Sequence, residues 1–390
     1  MQSVITEDFA PLAQALEARA AEEENYSAQL AIYHRGELVL SHSVGEHLAG
    51  DALTCVFSCT KGLSALVVAL LVQDGLIDPK ASMATYWPEF AANGKGQLTV
   101  GEVLSHQAGV LGVPGGVPSK ILLNSAEYAK VLASMPSIWP LGQNIVGYHA
   151  ITMGVLMEEL VRRVTGKELK EVFEERIRKP LGADAYIGQD PALEPRYRDV
   201  LPAAEERPEF FDPFSPAGLA VNSASGFALE SGPVYNWHEL ANSPQVRQLG
   251  PASMGAVANA QSLAAIYAAS FGAVPELGVS KGLLSEDTWS QVSTELVYGH
   301  DRTNGLLQAF ALGFMKATAR NNYGSIFAYG HDGANSSLAF ADPAYQLGFG
   351  YIPSRNEGLK ETSTGVKLSQ LARQLIMQKN MKAQAAGSNA

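Results

Sequence analysis

The sequence predicts an α/β protein of the α+β kind: a sheet assembled from both chain ends, with a mainly helical stretch inserted between them. Two observations carry this reading. β-Prone runs cluster near the start of the chain and again after Phe310, whereas from Tyr86 to about Arg198 the strand signals fade and apolar residues recur at helical spacing. The division that follows is 1–85 with 200–380 for the α/β part, 86–199 for the helical part, and 381–390 for a polar, Ala-rich tail expected to fray. With 390 residues, 46% hydrophobic and 17% charged, the chain has a globular composition and can bury a substantial core.

Taken in order, the stretch from Asp8 to Glu24 carries Phe9, Leu12 and Leu16 at helical spacing among Ala and Glu, which predicts a surface helix. Gln29 to Tyr33 and Glu37 to His42 are β-prone runs joined at Arg35-Gly36, a hairpin signal. After Phe57-Ser58, the residues Leu63, Leu66, Val67, Leu70 and Leu71 mark a core helix that stops at Gly75. Helices are expected over Thr99 to Ser105, Ser125 to Met135 and Ala150 to Val164. From Asp199 to Ala256, frequent Pro, Gly, Ser and Asn predict loops that line or cover a site. A helix near Gln261 to Phe271 follows, then short strands at Phe310 to Phe314, Ser325 to Tyr329, Ser337 to Phe340 and Leu347 to Ile352, and a last helix from Val366 to Met377.

Charge and cysteine usage exclude several classes. Lys plus Arg number 28 against 39 Asp plus Glu, a net charge of −11. An acidic surface without a basic cluster repels phosphate backbones and anionic membranes, so neither nucleic acid nor membrane is an expected partner. The longest apolar run, Ala65 to Val72, is far short of the roughly 20 residues a bilayer span needs, and the N-terminal residues lack a basic-then-apolar leader; a cytoplasmic protein is expected. Cys55 and Cys59, four apart with no other Cys, suit two reduced thiols and provide neither a disulfide framework nor a zinc site.

Three constellations could carry chemistry. Ser58-Cys59-Thr60-Lys61 is the only S-x-x-K in the chain and opens a helix, so residues i and i+3 share a face within about 5–6 Å. A serine hydroxyl needs a base, and a lysine becomes one when burial or neighbouring positive charge lowers its pKa; the helix N-terminus offers N–H groups to an oxyanion. Read alone, Ser58 could equally be a helix cap and Lys61 a solvated side chain. Tyr148-His149-Ala150 lies at a loop-to-helix junction, where a phenol can enter a cleft, although a core tyrosine is the commoner case. Gly330-His331-Asp332-Gly333 lies between two β-prone runs, where glycines permit close approach of a ligand or form an ordinary hairpin.

In this order, the three motifs resemble those of the class C β-lactamase and penicillin-binding-protein superfamily of serine hydrolases: S-x-x-K, then Y-x-N, then K-T-G or H-x-G. Leu104-Ser105-His106-Gln107-Ala108-Gly109 and Leu338 to Pro343 resemble further segments of that family, over roughly residues 10 to 377. The resemblance implies the β-lactamase-like fold: an antiparallel sheet flanked by helices and built from both chain ends, an inserted mainly helical domain, and the active site between the two parts. Two departures are informative. Ala150 stands where the family has Asn, which removes an amide recogniser, and His331-Asp332 replaces Lys-Thr, which removes a point charge and adds a carboxylate facing the site. Anionic substrates should suffer, and the branch most similar is the β-lactamase-like, family VIII carboxylesterases.

The resemblance implies a serine carboxylesterase acting on small uncharged esters through an acyl-enzyme, with Ser58 as nucleophile and Lys61 and Tyr148 as the proton-transfer groups. It implies an oxyanion hole from the backbone N–H of Ser58 and that of Gly333 or Ala334, with His331 orienting the catalytic groups or touching substrate. A β-lactamase, D-amino-acid peptidase, amidase or acyl transferase on the same scaffold, and a non-catalytic binding relative, are the alternatives. Gly278-Val279-Ser280-Lys281-Gly282 also matches the G-x-S-x-G elbow, with Asp301 and His331 downstream, but the aliphatic strand that motif requires is not evident. His106 and His149 read as structural or lining residues. No H-E-x-x-H, phosphate loop or dinucleotide fingerprint occurs, so neither metal nor organic cofactor is expected; the partner is a small-molecule ester, and monomer and homodimer are both compatible.

Overall fold

In the hairpin at Arg35-Gly36 both residues take left-handed backbone, φ 55° and 76°, as a tight turn between twisted strands requires. It joins the strands Ala28–His34 and Glu37–Val44, which pair antiparallel. The computed structural model describes residues 3–203, 211–229, 232–234, 236–357 and 362–387. Within it the hairpin forms a third of a six-stranded antiparallel sheet, in the order Val4–Ile5, Glu37–Val44, Ala28–His34, Leu347–Pro353, Leu338–Asp342, Tyr329–Asp332. The seam between the chain ends is the pairing of Ala28–His34 with Leu347–Pro353, from Ala28 opposite Pro353 to His34 opposite Leu347.

Period-two alternation distributes the strand residues to two cores. Leu30 and Ile32 join Phe340, Phe349, Leu12, Leu16 and Ile376 beneath the terminal helices Ala10–Ala21 and Thr364–Gly387. Ala31 and Tyr33 face a larger cluster that contains Leu263 and Ile266 of helix Ala260–Phe271 and runs on through helix Cys59–Gln73 to helix Thr152–Thr165. The site is carried by Cys59–Gln73, which touches the edge strand Tyr329–Asp332 on one side and Thr152–Thr165 on the other.

The β-lactamase-like architecture expected from both chain ends is the one observed. Several elements differ in position or kind. The strand expected over Phe310 to Phe314 is instead Leu307–Phe310, paired with Val297–His300, and the one expected over Ser325 to Tyr329 is Tyr329–Asp332. Residues 325–328 turn because Asp342 caps Ser325 through both its N–H and its hydroxyl, a contact invisible to local propensity. Ala185–Ile187 is a strand inside the stretch that reads as helical; it pairs with Ala256–Ala258, which also pairs with Thr54–Cys55. The loop-like stretch after Asp199 includes short helices at Pro216–Ala220, Trp237–Asn242 and Pro244–Leu249, while 204–210 lie outside the described residues. The tail expected to fray from 381 continues the last helix to Gly387, tethered by Lys379 on Asp8 at 2.8 Å and Arg35 on Asn380 at 3.1 Å. No helix among the described residues is long and apolar enough to cross a membrane.

Helix and edge strand approach closely because residue 62 is glycine. A Cβ at Gly62 would overlap the Tyr267 hydroxyl and press to 3.3 Å from the His331 Cβ. Tyr267 is fully buried and its hydroxyl has no partner among the described residues. Gly62→Ala is expected to destabilise the protein by about 1–3 kcal/mol through overpacking. Tyr267→Phe is expected to be neutral or stabilising, and to relieve part of that loss, because it removes an unpaired buried hydroxyl. Denaturant unfolding of the two single variants and the double variant tests both statements.

Candidate active site

Ser58 holds the N-cap position of helix Cys59–Gln73, with φ −69° and ψ −7°. Phe57 before it has φ 45°, a left-handed backbone that costs a bulky residue on the order of 1–3 kcal/mol unless its surroundings enforce it. Here they do. The Thr60 N–H donates to the Phe57 carbonyl at 2.9 Å, as does the Thr60 hydroxyl, which in turn accepts from the Ala256 N–H at 2.9 Å. The Phe57 ring packs among Leu229, Val246 and Met254. The strained turn leaves Ser58 partly exposed while its neighbours are buried.

Lys61, one helical turn on, is fully buried. Its Nζ lies 3.1 Å from Ser58 Oγ, 2.7 Å from the Ala150 carbonyl and 2.8 Å from the Ser253 carbonyl. Burial pushes its pKa down to about 7, against the opposing pull of the Asp332 carboxylate. A neutral amine has two N–H groups, which match the two carbonyls, and one lone pair, which is left for the serine hydroxyl. The arrangement can therefore take a proton from Ser58 near neutral pH.

Tyr148 closes the third side. The Lys61 Nζ lies 4.9 Å over its ring centroid, Phe310 stacks on it at 6.1 Å, and the His106 and His331 rings stand 4.9 and 5.9 Å away. Burial raises its pKa well above the usual phenol range, a hydrogen bond with Ser58 opposes this, and the carboxylates of Asp332 and Asp301 add to it. The phenol is thus protonated where Lys61 is losing its proton. His106 and His149 are both buried and held neutral by burial, His149 at about 4. His106 Nδ1 accepts from the His149 N–H at 2.9 Å, and His149 Nε2 accepts from the Val110 N–H at 3.2 Å. They lock the backbone just after Tyr148 to the segment from His106 to Val110.

The third motif arrives on strand Tyr329–Asp332. The Gly333 N–H donates to the Ser337 carbonyl at 2.8 Å, so of the two amides offered by Gly333 and Ala334 it is Ala334's, like that of Ser58, that has no acceptor among the described residues. Gly333 serves by absence: a Cβ there would overlap the Val56 carbonyl. Asn335 completes the docking by donating to the Cys55 carbonyl at 3.2 Å. The buried His331 donates from Nδ1 to the Asp332 carbonyl at 2.7 Å, leaving Nε2 a lone pair with no partner among the described residues. The His331 ring also stands against Tyr148, so it borders the same space as the phenol.

Comparison with known proteins agrees with this geometry. The family described as Beta-lactamase matches residues 12–373. The chain belongs to the Beta-lactamase family. It is 31% identical over 318 residues to "Esterase/beta-lactamase LipL" of Mycobacterium tuberculosis, covering 79% of this chain and 70% of that one. Among solved structures it is similar to EstA from Arthrobacter nitroguajacolicus, with 43% identity, a TM-score of 0.91 and coverage of 97% and 99% of the two chains. A family VIII carboxylesterase matches with 28% identity, a TM-score of 0.81 and coverage of 96% and 99%.

In this Beta-lactamase-family chain, sequence reading missed the groups that act through backbone atoms. The carbonyls of Ala150 and Ser253 hold Lys61, and the buried Asp301 carboxylate accepts the Tyr148 N–H at 3.1 Å from both oxygens. The elbow pentapeptide does not form: Ser280 is exposed in a bend, after the short 3-10 helix Pro275–Leu277 and before no regular element until Glu286–Ser293. Cys55 and Cys59 are free and buried, and burial raises both thiols, Cys55 to about 12. Gly333→Ala should push the turn off Val56 and displace the Ala334 amide; the loss expected if that amide is an oxyanion donor is on the order of a hundredfold in kcat. Steady-state kinetics beside an unchanged far-UV circular dichroism spectrum checks this.

Proposed function

We propose that the protein is a serine carboxylesterase that hydrolyses small uncharged esters through a Ser58 acyl-enzyme. The observation that carries the reading is the buried Lys61, with Nζ 3.1 Å from Ser58 Oγ and a pKa near 7. In acylation, Lys61 takes the Ser58 proton as Oγ bonds to the ester carbonyl carbon. The N–H groups of Ser58 and Ala334 stabilise the oxyanion. As the alkoxide leaves, Tyr148 gives it the phenolic proton and is reprotonated from Lys61. Deacylation reverses the sequence with water in place of the alcohol.

Uncharged substrates fit the walls. Ala150, whose carbonyl touches Lys61, packs with Trp139 against Leu111, Leu219 and Ala220, which makes that side of the site apolar. On the other side stands the half-exposed Asp332 carboxylate, which repels an anionic substrate. The names "Esterase/beta-lactamase" for LipL and "family VIII carboxylesterase" for the solved relative support esterase activity.

A fluorophosphonate probe is expected to label Ser58 and not Ser280, with label tracking loss of p-nitrophenyl butyrate hydrolysis; a label on Ser280 overturns the reading. Turnover of a chromogenic cephalosporin at a rate comparable with that ester would replace esterase by β-lactamase. kcat/KM for the ester is expected to rise with pH through an apparent pKa near 7, because Lys61 is an ammonium below that value and a free base above it. A flat profile from pH 5.5 to 8.5, a range of about 1.5 units on either side, would remove Lys61 as the base.

A further inference from the structure

We propose that Asp301 is a positioning residue that holds Tyr148 in place to protonate the departing alkoxide, an assignment that rests on the esterase reading above. Asp301 lies in the turn of the hairpin Val297–His300 and Leu307–Phe310, remote in sequence from all three motifs. It is 1% exposed, and both carboxylate oxygens lie 3.1 Å from the Tyr148 N–H. Thr303 donates its N–H and its hydroxyl to one of those oxygens, both at 2.7 Å. The next residue extends the grip, since the Arg302 N–H donates to the Val146 carbonyl at 2.9 Å.

The same hairpin provides Phe310, which stacks on the Tyr148 ring, so one element fixes both the backbone and the plane of this side chain. The groups around the phenol are Ser58, Cys59 and Lys61 from the helix, His331 and Asp332 from the edge strand, His106 from the loop and Asp301 from the turn. Asp301 is the one of these that accepts the Tyr148 N–H. It also brings a negative charge that favours the protonated phenol, as a proton donor requires. Asp301 touches neither Ser58 nor Lys61 in any recorded hydrogen bond among the described residues, so it acts through Tyr148.

A leaving-group comparison separates positioning from mere structural support. p-Nitrophenolate departs without a proton, whereas ethoxide needs one, so the ratio of kcat/KM for ethyl butyrate to that for p-nitrophenyl butyrate reports the acid. Tyr148→Phe should lower this ratio by about a hundredfold or more, the usual worth of a general acid. Asp301→Ala should lower it by about tenfold, the scale of a misplaced catalytic group. Asp301→Asn, which keeps an oxygen acceptor for the Tyr148 N–H, should largely restore it. Thr303→Val, which loosens the carboxylate without removing it, should lower the ratio in the same direction and serves if Asp301→Ala does not fold. In the double variant Tyr148→Phe with Asp301→Ala, the ratio should fall no further than in Tyr148→Phe alone. Equal losses on both esters in Asp301→Ala, or additive losses in the double variant, would overturn the assignment while leaving the esterase reading intact. An unchanged ratio in Tyr148→Phe would instead remove Tyr148 as the acid, and the role of Asp301 with it.

Discussion

The structure depends on keeping an amine with two carbonyl partners dry beside a serine at a helix start. Burying Lys61 disfavours its charged form and lowers its pKa to about 7, the property that the proposed role as base requires. The surroundings are arranged to sustain it. Ala150 and Ser253 accept its N–H groups, Gly62 lets the edge strand close over the helix, and Tyr148 covers the remaining face. The two carbonyls come from segments about ninety and about two hundred residues away, so the base exists only in the assembled fold.

Two other buried lysines have carbonyl partners as Lys61 does, but not its serine. Lys95 gives its ammonium to the carbonyls of Ala92, Ala133 and Met135, and Lys316 gives its own to Ile326 and Ala328. Burial lowers both, Lys316 to about 8. Neither has a hydroxyl nucleophile recorded among its partners; they staple turns. The difference at Lys61 is the Ser58 hydroxyl at the one position left for the lone pair.

How much of this was legible follows from which atoms do the work. Side chains that recur in fixed local patterns could be read: Ser58 and Lys61 one turn apart at a helix start, Tyr148 at a loop-to-helix junction, and the alternating strands of both chain ends. Backbone atoms carry no residue signature, so the carbonyls of Ala150 and Ser253 and the choice of Ala334 over Gly333 needed the fold. Asp301 sits in Asp-Arg-Thr-Asn-Gly, whose local pattern spells a turn; that its carboxylate caps a peptide at residue 148 is a consequence of tertiary packing. The strand shift from 325–329 to Tyr329–Asp332 has the same origin, because Asp342 decides it from across the sheet.

The seam between Ala28–His34 and Leu347–Pro353 has a consequence for synthesis on the ribosome. The first strands are made early but their sheet partners come last, more than three hundred residues later. Loop closure of that span opposes folding until nearly the whole chain has emerged. The edge strand that completes the site, Tyr329–Asp332, lies within the same late segment. A nascent or prematurely terminated chain therefore lacks both the closed sheet and the wall around Ser58, and the proposed nucleophile gains its surroundings as one of the last events of folding.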